Sequence, residues 1–97
     1  MGKKKIYKDC WDLDQAFLKW LGKRLPVYLE SADKIVDLEE SSITFRGKNY
    51  TQKEIIIRMI EILDEIKKTD DTWNEDYPVL VDELLDLWRV VFLYMWW

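Results

Sequence analysis

The sequence predicts a small, mainly α-helical fold: a three-helix bundle with a kinked first helix and space for a short hairpin before the second. Three observations predict it. Apolar residues recur at helical spacing in three separate stretches. A T-x-x-E signal, Thr51 to Glu54, opens the middle stretch. The chain then ends in Tyr77–Trp97, where fifteen of the last nineteen residues are apolar or aromatic. At 97 residues, 48% hydrophobic and 35% charged, the chain suits one globular domain over 1–97.

Residues 1–8 carry four lysines and read as a frayed basic end. The first helix is expected to open at Asp12, with Gln15 three positions on completing a capping box. Leu13, Phe17, Trp20 or Leu21, and Leu25 follow at inward spacing. Pro26 lacks an amide hydrogen and crowds the preceding turn, so a kink or break is expected there. Val27-Tyr28-Leu29 would continue as an offset turn. Two readings stay open for residues 35–50. Arg46-Gly47-Lys48-Asn49 has turn chemistry between Phe45 and Tyr50, which suits either a small hairpin or an irregular loop.

The middle helix starts at Thr51 and carries Ile55, Met59, Ile62, Leu63 and Ile66 as its apolar stripe. Lys67 and Lys68 fall in its last turn, where cations suit the helix dipole. The third helix is expected over Pro78–Trp96, with Pro78 at the first position. Its polar stripe, Asp82, Glu83, Asp86 and Arg89, runs on into Leu93 and Trp97. The last two turns are therefore apolar all round, and two other helices are too few to cover them. A homo-oligomer is expected, with subunit contacts at Val90, Leu93, Tyr94 and Trp97.

Charge excludes some partners. The net charge is −4, and no stretch holds the sustained basic charge that duplex nucleic acid requires. The longest apolar run, Val90–Trp97, is far short of the ~20 residues that cross a membrane. The lysines at the start have no apolar run behind them, so no signal peptide is expected. One cysteine, Cys10, permits no internal disulfide and suits a reducing cytoplasm.

Catalytic chemistry has little to build on. The chain has no histidine, which removes Ser-His-Asp and Cys-His centres and imidazole metal sites. Asp9 and Asp12 would raise the Cys10 thiol pKa, the wrong direction for a nucleophile. The three glycines form no phosphate-cradling loop. Glu30-x-x-Asp33 and Glu61-x-x-Asp64 are similar to the paired carboxylates with which all-helical nucleotide pyrophosphohydrolases hold Mg²⁺. The first pair lacks the second Glu that pattern needs, and the other reads more simply as a solvated face. No metal and no cofactor are expected. A cationic and aromatic set is the stronger candidate: Lys19, Lys23, Arg24, Arg58 and Arg89 for phosphates, with Trp11, Trp88 and Trp96 for stacking on a base. Surface ion pairing is the plain alternative for each of these cations.

A resemblance adds context. Asp9-x-Trp11-x-Leu13-Asp14, the leucines running to Leu25, Tyr50-Thr51-x-x-Glu54, and Leu85-x-Leu87 through Phe92 to Trp96 form a scattered pattern over most of the chain. In it the chain resembles a family of small phage- and prophage-encoded helical proteins. It departs at Ile55–Ile57, where the family carries a tryptophan, and at Trp97, where the family closes on an acidic residue. The resemblance implies no activity, only a setting: a phage gene product in the cytoplasm of a bacterial host. The resulting expectation is a non-catalytic counter-defence protein that sequesters a nucleotide-derived immune signal. The alternatives are a protein–protein inhibitor of a host defence nuclease or effector, and a Mg²⁺-dependent nucleotide pyrophosphohydrolase.

Overall fold

The structure, a computed structural model, describes residues 13–35, 37–40, 42–68 and 75–95. Among these residues it is mostly helical, with one small sheet. The order is α1 (Leu13–Asp33), β1 (Ile43–Phe45), β2 (Lys48–Tyr50), α2 (Gln52–Lys68), α3 (Asp76–Val91) and a 3₁₀ turn over Phe92–Tyr94. The expected Asp12 capping box, the basic end and the terminal Trp96 and Trp97 lie outside the described residues.

Helix α2 is the centre of the molecule. Its start is fixed by the reciprocal pair that the sequence signals: the Thr51 amide donates to Glu54 Oε1 at 2.8 Å, and the Glu54 amide donates to Thr51 Oγ1 at 3.1 Å. Ile55, Ile56, Met59, Ile62 and Leu63 are buried. They meet Leu18, Leu21, Leu25 and Ala32 of α1 and Leu84, Leu87 and Val91 of α3 in one core. Ile66 packs at its margin and Ile57 is exposed.

Of the kink or break expected at Pro26, the break does not occur: α1 runs continuously from Leu13 to Asp33. Proline costs a helix interior about 3 kcal/mol. Leu18, Leu21 and Leu25 before it and Ala32 after it are buried in the same core, and that shared burial outweighs the local cost. Of the inward positions expected, Leu21 and Leu25 are buried and Phe17 is half-buried against the core, with Leu21 taking the place left open between it and Trp20, whereas Leu13 faces outward.

The segment left open between α1 and α2 contains a true hairpin. Ile43 pairs with Tyr50, Thr44 with Asn49 and Phe45 with Lys48. The two-residue turn, Arg46 (φ 50°) and Gly47 (φ 81°), is left-handed at both positions, as tight hairpins that match strand twist require. Alternation places Ile43 and Phe45 in the core and Thr44 outside, where its hydroxyl donates to Asn49 Oδ1 at 2.9 Å.

Helix α3 begins at Asp76, so Pro78 occupies the third helical position instead of the first. The cost is equally small, because the first four amides of a helix have no internal acceptor. The helix stops at Val91, short of the expected Trp96, and tightens into the 3₁₀ turn. That turn is held by Gln52, a buried side chain at the start of α2. Its Nε2 donates to the Tyr94 carbonyl at 3.2 Å and to the Tyr28 hydroxyl at 3.3 Å.

Candidate functional site

The hairpin, α2 and α3 enclose an open cleft of about 300 Å³, at the lower end of the range for small-ligand sites. Its floor is Ile55 and Leu87, both core residues. One wall is Phe45 and Tyr50, opposite ends of the hairpin, whose rings meet edge to face with centroids 6.3 Å apart. Arg58 of α2 and Glu83 of α3 face each other across the rim.

This rim pair governs what the cleft can hold. Arg58 Nε donates to Glu83 Oε2 at 2.8 Å and Nη2 to Oε1 at 3.1 Å, a two-pronged contact. Hydrogen bonding from Arg58 holds the Glu83 carboxyl below the usual carboxylate range, against the opposing effect of its partial burial. The same contact raises the Arg58 guanidinium. A phosphate entering here would have to displace the Glu83 carboxylate. The cleft suits an uncharged planar group or a single inserted side chain better than a polyanion.

The pair also predicts acid sensitivity. Glu83 is depressed in the folded state, so its contribution is complete above the unfolded carboxylate value of ~4.3 and is lost as pH falls through the lower folded value. Arg58→Met should therefore cost stability at neutral pH, no more than ~1 kcal/mol because the pair is part-solvated. The gap between variant and wild type should narrow in urea titrations near pH 2.5. A gap of constant size would show that packing of the Arg58 stem, not the ion pair, is responsible.

Of the residues expected to bind a nucleotide, the six described ones do not converge on the cleft. Trp11 and Trp96 lie outside the described residues. Arg58 alone of the remaining six borders the cleft. Trp88 sits on another flank of α3, against Phe17 of α1 (6.3 Å) and Phe92 (5.1 Å). Lys19 and Lys23 lie on the outer face of α1. Arg24 lies over the Trp20 ring at 4.6 Å and donates to the Trp20 carbonyl at 3.1 Å. Arg89, expected to need a partner, has one within its own helix: its Nη2 donates to Asp86 Oδ1 at 2.8 Å. The Asp86 carboxyl is lowered chiefly by that bond and further by Arg46.

Arg46 binds the hairpin tip to α3. It reaches Asp86 at 3.3 Å and Asp82 at 3.6 Å while lying over the Phe45 ring at 5.0 Å. The paired-carboxylate candidates are likewise in ion pairs: Glu30 with Lys34, Asp33 with Lys53, Glu61 with Arg58 and Asp64 with Lys68. Among the described residues no three acidic or thiol groups cluster as metal ligands, and no helix is long and apolar enough to cross a membrane.

Of the expected subunit contacts, Val90 is half-buried, Leu93 and Tyr94 are exposed, and Trp97 lies outside the described residues. The cleft-lining Phe45, Tyr50 and Glu83 are absent from the binding residues expected from the sequence. The hairpin alternative carried the available signal: closing it puts Phe45 and Tyr50 on one face, diagonally across the strands. No protein-family model, curated protein or solved structure matches this chain.

Proposed function

We propose that this protein acts by binding and catalyses no reaction, and that it is a phage counter-defence protein that blocks a host defence protein by direct contact in the bacterial cytoplasm. The observation that carries this reading is the end of α3. Phe92, Leu93 and Tyr94 are consecutive and all exposed, Leu93 at 82%. They close the last stretch of the chain, Glu61–Trp97, whose net charge is −7. Neighbouring large apolar residues on an acidic surface are the usual mark of a protein contact. A homo-oligomer is part of the proposal.

This reading is preferred to sequestration of a nucleotide-derived signal because Arg58 and Arg89 are already neutralised by Glu83 and Asp86. Binding a phosphate there would have to compensate for breaking charge-assisted hydrogen bonds. The phage setting rests on the resemblance in Trp11, Leu13, Thr51, Glu54 and the terminal aromatic residues.

The test is infection of paired hosts, with and without a defence system, by phage carrying the wild-type gene or Leu93→Asp. Wild type should restore plaques on the defended host only. Leu93→Asp should lose that effect while keeping its helical circular dichroism. Equal plaquing by both genes would sink the contact reading. Heat from a cyclic dinucleotide in calorimetry would return the nucleotide reading to first place.

A further inference from the structure

Helices α1 and α3 each carry an apolar stripe beside the core, touching it only through the half-buried Phe17 and Trp88. On α1 it is Leu13, Phe17, Trp20 and Val27, with Arg24 completing the row; on α3 it is Val81, Leu85 and Trp88, continued by Phe92 of the 3₁₀ turn. Both rows advance by alternating steps of four and three residues, which keeps them on one helix face. That face of α3 is distinct from the core row of Leu84, Leu87 and Val91. The two stripes join where the Phe17 and Trp88 rings meet, so they form one continuous seam. Trp20 is 47% exposed, Leu85 46% and Phe92 56%, and Leu13 and Val27 are more open still. The exposed area is on the order of 600 Å², the top of the range for a patch on a monomer. It is most of the ~800 Å² that each partner contributes to an ordinary stable interface.

We infer that this seam binds a second copy of the same chain, in a two-fold contact that lays α1 of one protomer along α3 of its partner. The inference rests on the reading above that the protein works as a binding oligomer, and it says which surface makes the oligomer. Charge selects the occupant. Between Gln15 and Leu29 the only charged residues of α1 are Lys19, Lys23 and Arg24, all cationic. From Asp76 to Trp88 the only charged residues of α3 are Asp76, Asp82, Glu83 and Asp86, all acidic. Among the described residues the three α1 cations form no ion pair, whereas Arg46, Lys53, Arg58, Lys68 and Arg89 all do. Of the α3 acids, Glu83 and Asp86 are held closely by Arg58 and Arg89, whereas Asp82 is 84% exposed and meets Arg46 only at 3.6 Å. A two-fold axis through the Phe17–Trp88 contact places each unpaired cationic segment over the partner's Asp82, twice per dimer. Stacking α1 on α1 and α3 on α3 would set like charges together. The contact leaves Leu93 and Tyr94 outside the seam, so a dimer would present two copies of the target-binding end.

Sedimentation equilibrium of the full chain tests this. Wild type should dimerise, and Trp20→Glu or Leu85→Glu should weaken the dimer by about 100-fold. The decisive variants are charge reversals on the solvated rim. Arg24→Glu and Asp82→Arg should each weaken association by about tenfold, and together should return it to within about threefold of wild type. A wild type that stays monomeric at concentrations on the order of 100 μM overturns the inference. So do two charge reversals whose losses add instead of cancelling. Leu93→Asp should leave the dimer constant unchanged, so failure of the target-contact reading and failure of the seam are separately visible.

Discussion

Leu84→Ala is expected to lower the unfolding free energy by about 3 kcal/mol, within the 2–5 kcal/mol range for truncating a buried leucine. Leu84 is fully buried, at the middle of α3 and in the core that α2 builds. The deletion removes three carbons from water-free surroundings and leaves a space the neighbouring helices cannot fully close. A domain of this size has only about 5–15 kcal/mol in total. The midpoint of thermal unfolding should fall by roughly 12–24 °C. Leu85→Ala, one position along on the exposed flank, should stay within about 0.5 kcal/mol for the monomer. Similar losses at both positions would mean that α3 is rotated from the orientation described.

Gln52→Ala is expected to cost about 1–3 kcal/mol, because it removes a buried donor and leaves its acceptors short. Gln52 is 5% exposed, and its amide serves both the Tyr94 carbonyl and the Tyr28 hydroxyl. The Tyr28 hydroxyl, its pKa already raised by burial, would lose a hydrogen-bond donor in the interior. Gln52→Leu separates lost volume from lost polarity: it restores the bulk but not the donor. Chemical denaturation should place it between wild type and alanine. A leucine variant at least as stable as wild type would show that the amide contributes nothing net. Either substitution also removes the side-chain bond to the last turn, so on the contact function proposed above a Gln52 variant should lose contact strength even where the fold survives.

Helix α2 was fully legible in the sequence because everything that defines it is local. Its cap residues are three positions apart, its stripe is continuous, and its closing lysines follow directly. The course of α1 was less so. Pro26 is a real local penalty, and only the common burial of Leu25 and Ala32 shows that it is outweighed. The choice between Trp20 and Leu21 turns on one step of helical phase, which a neighbouring helix decides. Site residues were the least legible. Arg58 meets Glu83 across 25 positions of chain and Arg46 meets Asp86 across 40, and no spacing rule pairs residues so far apart. A set of cations chosen for a phosphate is therefore indistinguishable, in sequence, from cations that meet carboxylates when the helices pack. The Arg89–Asp86 contact is different. It spans three positions on one helix face and was available from the sequence alone.

The hold of Arg46 on α3 gives the molecule two kinds of cohesion. The hairpin tip is joined to α3 by the Arg46 guanidinium between Asp82 and Asp86, while Ile43, Phe45 and α2 share buried hydrocarbon with α3. Simple salt screens the first, and strongly hydrated salts such as sulfate reinforce the second. Raising the ionic strength should therefore let the hairpin tip open as a unit of its own, ahead of the helices. The rate at which the amides of Lys48–Tyr50 exchange with heavy water would report that opening. The Arg46–Gly47 tip beside the cleft is thus its adjustable part, and the core-packed Phe45, Ile55 and Leu87 are its fixed one.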